Sequence, residues 1–151
     1  MFRIFFVFLL VITGNVMAEK YPDDFDFVSA KYDTLGFDSL NDNEKLIYCI
    51  WWLEGEVNNG GFHQFFSNSA GDYTKETILF LSAIEANHTA DLVKKASNVA
   101  FGCDASNDRE IRIQLLEKDD EVKIKKLNLI DTEFLKYHDD LTGLVNRYLT
   151  K

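Results

Sequence analysis

Few residues of this 151-residue chain are of types that do chemistry, and their spacing limits what they could do. The histidines His63, His88 and His138 lie far apart, none pairs with another at i,i+4, and no H-E-x-x-H occurs, so no metal site is expected. With no phosphate loop either, no cofactor is expected. Glu54 and Glu56 are two apart and cannot share a helix face, which argues against a paired-carboxylate site. Cys49 and Cys103 leave two readings open. An even pair invites a disulfide in an oxidising compartment, whereas Cys49, inside an apolar run, packs equally well as a small hydrophobe. A cysteine nucleophile would need a base and an electropositive setting, and neither is visible. What remains is Glu56 with His63, flanking a polar turn. They could be an acid/base pair. Alternatively Glu56, Asn58 or Asn59, Gln64 and Asn68 form a hydrogen-bonded network, because buried polar groups need partners and the dipole at a helix C-terminus disfavours an unassisted anion. The network is preferred, since no nucleophile or ligand spacing accompanies the pair.

The element that must position these groups is the stretch from Cys49 to Gly71, CIWWLEGEVNNGGFHQFFSNSAG. Asn41-x-x-Glu44 has the form of a capping box, and no breaker follows until Gly55. The pattern predicts a helix from about Asp42 to Val57, apolar nearly all round and therefore central. Asn58-Asn59-Gly60-Gly61 is its stop signal, since Asn and Gly accept left-handed backbone. Phe62, Phe65 and Phe66 then fit one face of a short second helix ending at Ala70-Gly71.

Around this centre the chain reads as further short helices. Phe25, Val28, Tyr32 and Leu35 share one face of a helix over Asp23 to Leu35, with Pro22 at its start. Asp72 or Thr74 caps a helix reaching about Ala86, with Thr77, Phe80, Leu81 and Ile84 inward. Thr89 starts another, with Leu92, Val93, Ala96, Val99 and Ala100 inward. Asp108 starts a shorter one presenting Ile111, Leu115 and Leu116. Asp119-Asp120-Glu121 opens a charged connection, and Val122 to Leu127 is the one place where a strand competes. Asp131 starts a helix ending near Tyr137, and Asp139-Asp140 supplies N-terminal charge for a last helix with Leu141, Leu144, Val145, Tyr148 and Leu149 inward. The expected fold is all-α: a single-domain bundle of about six to eight short helices around the central apolar one.

The stretch Glu56 to Tyr73, EVNNGGFHQFFSNSAGDY, resembles the signature of the DMP-type DNA-mimic protein family. The preceding Tyr48-to-Leu53 segment and the following helix are similar to it as well, and the likeness covers Leu40 to Tyr148. Glu56, Asn58, Asn59, Gly60, Gly61, Phe62, Gln64, Phe65, Phe66 and Asn68 carry the motif. The resemblance implies an all-helical domain. For one characterised branch it implies an acidic dimer that imitates DNA phosphates and occupies a transcription factor.

The N-terminus bears on the compartment. Met1 to Ala18 has the form of a secretory signal, with Arg3 in the n-region, Ile4 to Ile12 apolar, and Val16-Met17-Ala18 as a cleavage site before Glu19. The apolar run is shorter than the ~20 residues a spanning helix needs, so after cleavage no stable membrane insertion is expected, and residues 19–151 form a periplasmic or secreted domain. Without Arg3 the chain holds 15 basic and 25 acidic residues, a net of −10. Residues 19–56 contribute −7 of this and residues 57–151 only −3. Such a field repels nucleic acid and attracts basic proteins, and there is no basic patch with interleaved aromatics for direct nucleic-acid binding. The expected function is therefore that of an exported acidic helical protein that binds a basic protein partner, as an inhibitor, immunity-like factor or adaptor. Its partner face would comprise Asp23, Asp24, Asp26, Asp33, Asp38 and Asp42. A DNA mimic is the alternative, and a small envelope enzyme using Glu56 and His63 is the third reading. A homodimer is expected only on the family resemblance.

Overall fold

Asn41 sets the register of the central helix. Its side-chain Oδ1 accepts from the Glu44 backbone N–H at 3.0 Å, and Glu44 Oε2 accepts from the Asn41 N–H at 2.8 Å. This reciprocal box satisfies two amides that the first helical turn would otherwise leave orphaned. The same Glu44 Oε2 takes Lys31 Nζ at 2.6 Å, which fastens the preceding helix to this one.

The structure, a computed structural model, describes residues 20–118 and 121–151, with the backbone alone for residues 20–24. The Met1–Ala18 signal reading and the side chains of Asp23 and Asp24 fall outside the described residues. Among the described residues seven α-helices follow in order: α1 Lys20–Leu35, α2 Asp42–Ser67, α3 Thr74–Ala83, α4 Asn87–Phe101, α5 Arg109–Leu116, α6 Glu121–Phe134 and α7 Leu141–Leu149. Short 3-10 turns, Phe37–Ser39 and Ser69–Tyr73, flank α2. No strand occurs among the described residues, and the fold is all-α as expected. Val122 to Leu127 is helical, within α6.

α2 packs against α1, α3 and α6 in particular. Leu46, Ile47, Tyr48, Cys49, Ile50, Leu53 and Val57 bury its first part, and Phe62, Phe65 and Phe66, all at 0% exposure, bury its last. One aromatic cluster joins Phe25 stacked on Trp51 at 4.3 Å and Tyr32 stacked on Tyr48 at 4.3 Å. A second joins Phe62 edge-on to Phe134 at 5.8 Å and Phe66 to Phe101 at 5.0 Å.

Several boundaries differ from the sequence reading, each for a local reason. The central helix does not stop at Val57. Helical backbone continues through Asn58 and Asn59, helped by Asn58 Nδ2 donating to the Glu54 carbonyl at 2.8 Å. Only Gly60 (φ −152°, ψ 22°) and Gly61 (φ 71°, ψ −174°) leave it, so the break is a kink inside one long element. Asp131 does not start a helix but lies in the last turn of α6. Asp139 does not serve α7. It reaches back to the start of α4, where its Oδ2 accepts from Thr89 N at 2.7 Å and Thr89 Oγ1 at 2.9 Å, while Asp140 caps α7 through Gly143 N at 3.0 Å. α4 accordingly begins at Asn87, and Thr89 is its capped first turn. α3 ends at Ala83, short of Ala86, and neither Asp72 nor Thr74 caps it. Leu35 and Ile111, expected inside, are 65% and 47% exposed.

Candidate functional site

The two glycines let the chain turn and re-enter a helix at Phe62. Glu56, one turn before the kink, meets residues one and two turns after it. Its Oε2 accepts from Gln64 Nε2 at 2.6 Å and Asn68 Nδ2 at 2.8 Å, while Gln64 Oε1 accepts from Asn59 Nδ2 at 3.0 Å. Glu56 is buried, so these amides replace the water its carboxylate has lost. Asn58 turns the other way, and its Nδ2 is shared with Tyr137 OH beyond α6. The structure thus brings Glu56, Asn59, Gln64 and Asn68 into one network. His63 is not in it: the residue is exposed, and the nearby carboxylate whose charge it influences is that of Asp131. Among the described residues no hydrogen bond links the His63 ring to Glu56.

Two groups that the sequence reading did not place at the turn complete it. Asp131 Oδ1 accepts from the Phe62 backbone N–H at 2.8 Å. It therefore acts as the N-cap of the post-kink helix, delivered from α6 instead of from the preceding residue. Burial pushes the Asp131 carboxyl above its ordinary range, against the lowering effect of this hydrogen bond. A Cβ on Gly61 would sit 2.3 Å from Asp131 Oδ2, so the glycine serves both the backbone and its cap. At the far end of α2, α5 presents Arg109 and Arg112, one turn apart. Arg109 Nε donates to the Ser67 carbonyl at 2.7 Å. Arg112, at 0% exposure, donates through Nε to the Phe66 carbonyl at 2.8 Å, through Nη1 to the Ser106 carbonyl at 2.7 Å, and through Nη2 to the Asn68 carbonyl at 3.1 Å and to Asp72. The Phe66, Ser67 and Asn68 carbonyls are ones that the end of α2 leaves without intrahelical donors, and a cation suits the negative end of the dipole. Gly71 makes room for this: a Cβ there would lie 2.8 Å from the Phe65 carbonyl oxygen and 3.0 Å from Arg112 Nε. A signal existed in the sequence, since Asp108 marks a helix start and places Arg112 on that helix's first turn. Only the tertiary packing shows that the arginine points inward.

The two cysteines do not pair. Cys49 is buried within α2, where burial pushes its thiol up to about 12. Cys103 is exposed after α4, with its Sγ against the Asp104 carbonyl at 3.4 Å. A thiol sealed in the core and one on a surface loop have no common face. Of the expected acidic face, Asp26, Asp33, Asp38 and Asp42 are all exposed.

This geometry defines an all-helical domain whose kinked aromatic helix is locked by a polar turn. The chain belongs to the DMP19-like protein family, whose model matches residues 38–151. That match contains the whole kink, its network and both capping groups. No curated protein and no solved structure matches the chain.

Proposed function

We propose that this protein is a non-enzymatic binding module that docks a basic protein on the acidic surface of α1, the Phe37–Ser39 turn and the start of α2. The carrying observation is how the acids divide. Glu44, Glu56, Asp72, Asp131 and Asp139 each accept hydrogen bonds that hold elements together. Asp26, Asp33, Asp38 and Asp42 are exposed, and none is in an ion pair among the described residues. Unpaired surface carboxylates of one sign attract cationic partners and fade in salt. The Met1–Ala18 leader supports a partner outside the cytoplasm. The enzyme reading loses support because the Glu56 carboxylate is buried and tied to two amides through Oε2, with His63 outside the network.

A second reading, that this surface imitates DNA, comes with the family. Asp26 and Asp33 share one face of α1, about 10.5 Å apart along its axis at ~1.5 Å per residue. Duplex DNA carries one charge per about 1.7 Å of axis, so α1 alone is far sparser than a phosphate backbone.

The test captures partners from the native host's extract at low and high salt, using the wild type and a variant with Asp26, Asp33, Asp38 and Asp42 all changed to Asn. Salt-sensitive capture of a basic protein, lost in the variant, supports docking on this face, and equal capture by both refutes it. Release of the captured protein by added duplex DNA would favour the mimic.

A further inference from the structure

Away from the Glu56 turn, two histidines separated by 50 positions meet over one carboxylate. His138 Nε2 lies 2.9 Å and His88 Nε2 3.7 Å from the same oxygen, Glu133 Oε1, and the imidazole rings are 4.6 Å apart between centroids. One donor atom from each of the three residues falls within 4.8 Å of the other two. The second carboxylate oxygen, Oε2, is occupied by Lys136 at 2.5 Å, which leaves Oε1 to face the rings. His88 Nε2 is shielded from solvent and has no hydrogen-bond partner. A ring nitrogen in that state lacks a ligand, because buried polar atoms are ordinarily satisfied.

The arrangement is held from behind. His88 stands beside Thr89 and His138 beside Asp139, and the Asp139 carboxylate grips Thr89 by both its N–H and its hydroxyl. Tyr137, with φ at 49°, turns the chain after α6 so that His138 folds back over Glu133. Left-handed backbone is uncommon for a side chain of this bulk. Three elements are thereby fixed in register: the first turn of α4, the last turn of α6 and the connection to α7.

We infer that His88, Glu133 and His138 form a binding site for a divalent late-transition-metal ion, zinc first among them. Imidazole nitrogen with one carboxylate oxygen is a donor set such ions accept. Zinc–ligand bonds of about 2.0–2.2 Å in a tetrahedron put neighbouring donors about 3.3 Å apart, and the separations of 2.9 and 3.7 Å to Glu133 Oε1 bracket that value. Binding requires a small approach of His88 and release of the proton shared between His138 and Glu133. His88 Nε2 itself is sealed, but the three side chains are one-third to one-half exposed, so solvent can supply a fourth ligand. The ion staples α6 to α4.

The test uses tag-free protein carrying Cys103→Ser, so that the exposed thiol cannot bind the metal. Zn2+ is titrated in competition with a chromogenic chelator, and Co2+ absorption then reports the coordination. The expected result is one saturable equivalent and a raised unfolding midpoint with zinc. His88→Gln and His138→Ala, each checked by circular dichroism, should lose this binding, while His63→Ala keeps it. Asp139→Ala, which removes the acceptor of both Thr89 hydrogen bonds without removing a ligand, should weaken affinity about 10–100-fold, as loss of a group supporting the ligands does. No saturable binding, undiminished binding in the folded His88→Gln and His138→Ala proteins, or an equal loss in His63→Ala would overturn the site.

Discussion

Replacing Gly61 with Ala should be among the most damaging single-methyl additions in this protein. The backbone there, φ 71° and ψ −174°, lies in a region that is essentially glycine-only, so a side chain costs about 1–3 kcal/mol in strain. The new methyl would also stand 2.3 Å from Asp131 Oδ2 and 2.7 Å from its Cγ. The carboxylate must therefore swing away and leave the Phe62 N–H, which lies beside the fully buried phenylalanines, without its acceptor. A hydrogen bond to a charged group is worth about 1.5–3 kcal/mol. Together the two effects give about 2.5–6 kcal/mol, a large share of the roughly 5–15 kcal/mol that holds a typical domain folded. Urea unfolding followed by the fluorescence of Trp51 and Trp52 would measure it. The cap contribution can be isolated in a cycle with Asp131→Ala, since the methyl has nothing to displace once the carboxylate is gone. The double variant should then be less destabilised than the two single losses summed, by about 1.5–3 kcal/mol. Strict additivity, or a Gly61→Ala cost below about 1 kcal/mol, would refute the idea that Asp131 caps the post-kink helix.

Three further outcomes follow from the same geometry. Arg112→Met should cost about 1–3 kcal/mol in urea unfolding, the scale for leaving buried acceptors without a donor, since the half-buried Asp72 regains water; no measurable cost would mean the carbonyls it serves find other donors. In the native protein Cys103 should react with iodoacetamide at neutral pH while Cys49 stays unmodified until denaturant is added, because burial holds its thiol at about 12; equal labelling by intact mass would contradict this. Lys31 and the Asn41 N–H hold the Glu44 carboxyl below the usual glutamate value of 4.5. Its ionised form thus favours the fold above that pH, and the advantage is lost as pH falls through the lowered native value. Wild type should be more stable than Glu44→Gln at neutral pH, with the gap closing in acid; a gap that persists unchanged in acid would show the box does not depend on the charge.

The sequence carried the local signals and hid the distant ones. The capping box of Asn41 and Glu44 was legible because both partners sit within one turn. So was the company Glu56 keeps, since Gln64 and Asn68 follow it at spacings that face one another across a glycine kink. Asp131 was misread as a helix start because an acid near an apolar run has that appearance, and its real target lies 69 residues earlier. No local signal marks Arg112 for burial, since most arginines are exposed, and only the convergence of the Phe66, Ser106 and Asn68 carbonyls accounts for it. His88 and His138 lacked any shared spacing for the same reason. Asp139 was assigned to the helix that follows it, whereas it serves one 50 residues before.

The cap on the aromatic helix has a consequence in time. Phe62 emerges from the ribosome 69 residues ahead of the aspartate that will hold its amide. At synthesis rates of about 5–20 residues per second, that is a delay of roughly 3–14 seconds. During it, three phenylalanines that end fully buried have neither Phe134 beside them nor a completed helix start. The Arg112 lock arrives sooner but still 46 residues late. The nascent chain therefore passes through a long interval with its most apolar segment formed and unsealed, when a chaperone that binds exposed aromatics has its best opportunity. A C-terminal truncation ahead of Asp131 should strand the chain in that interval for good.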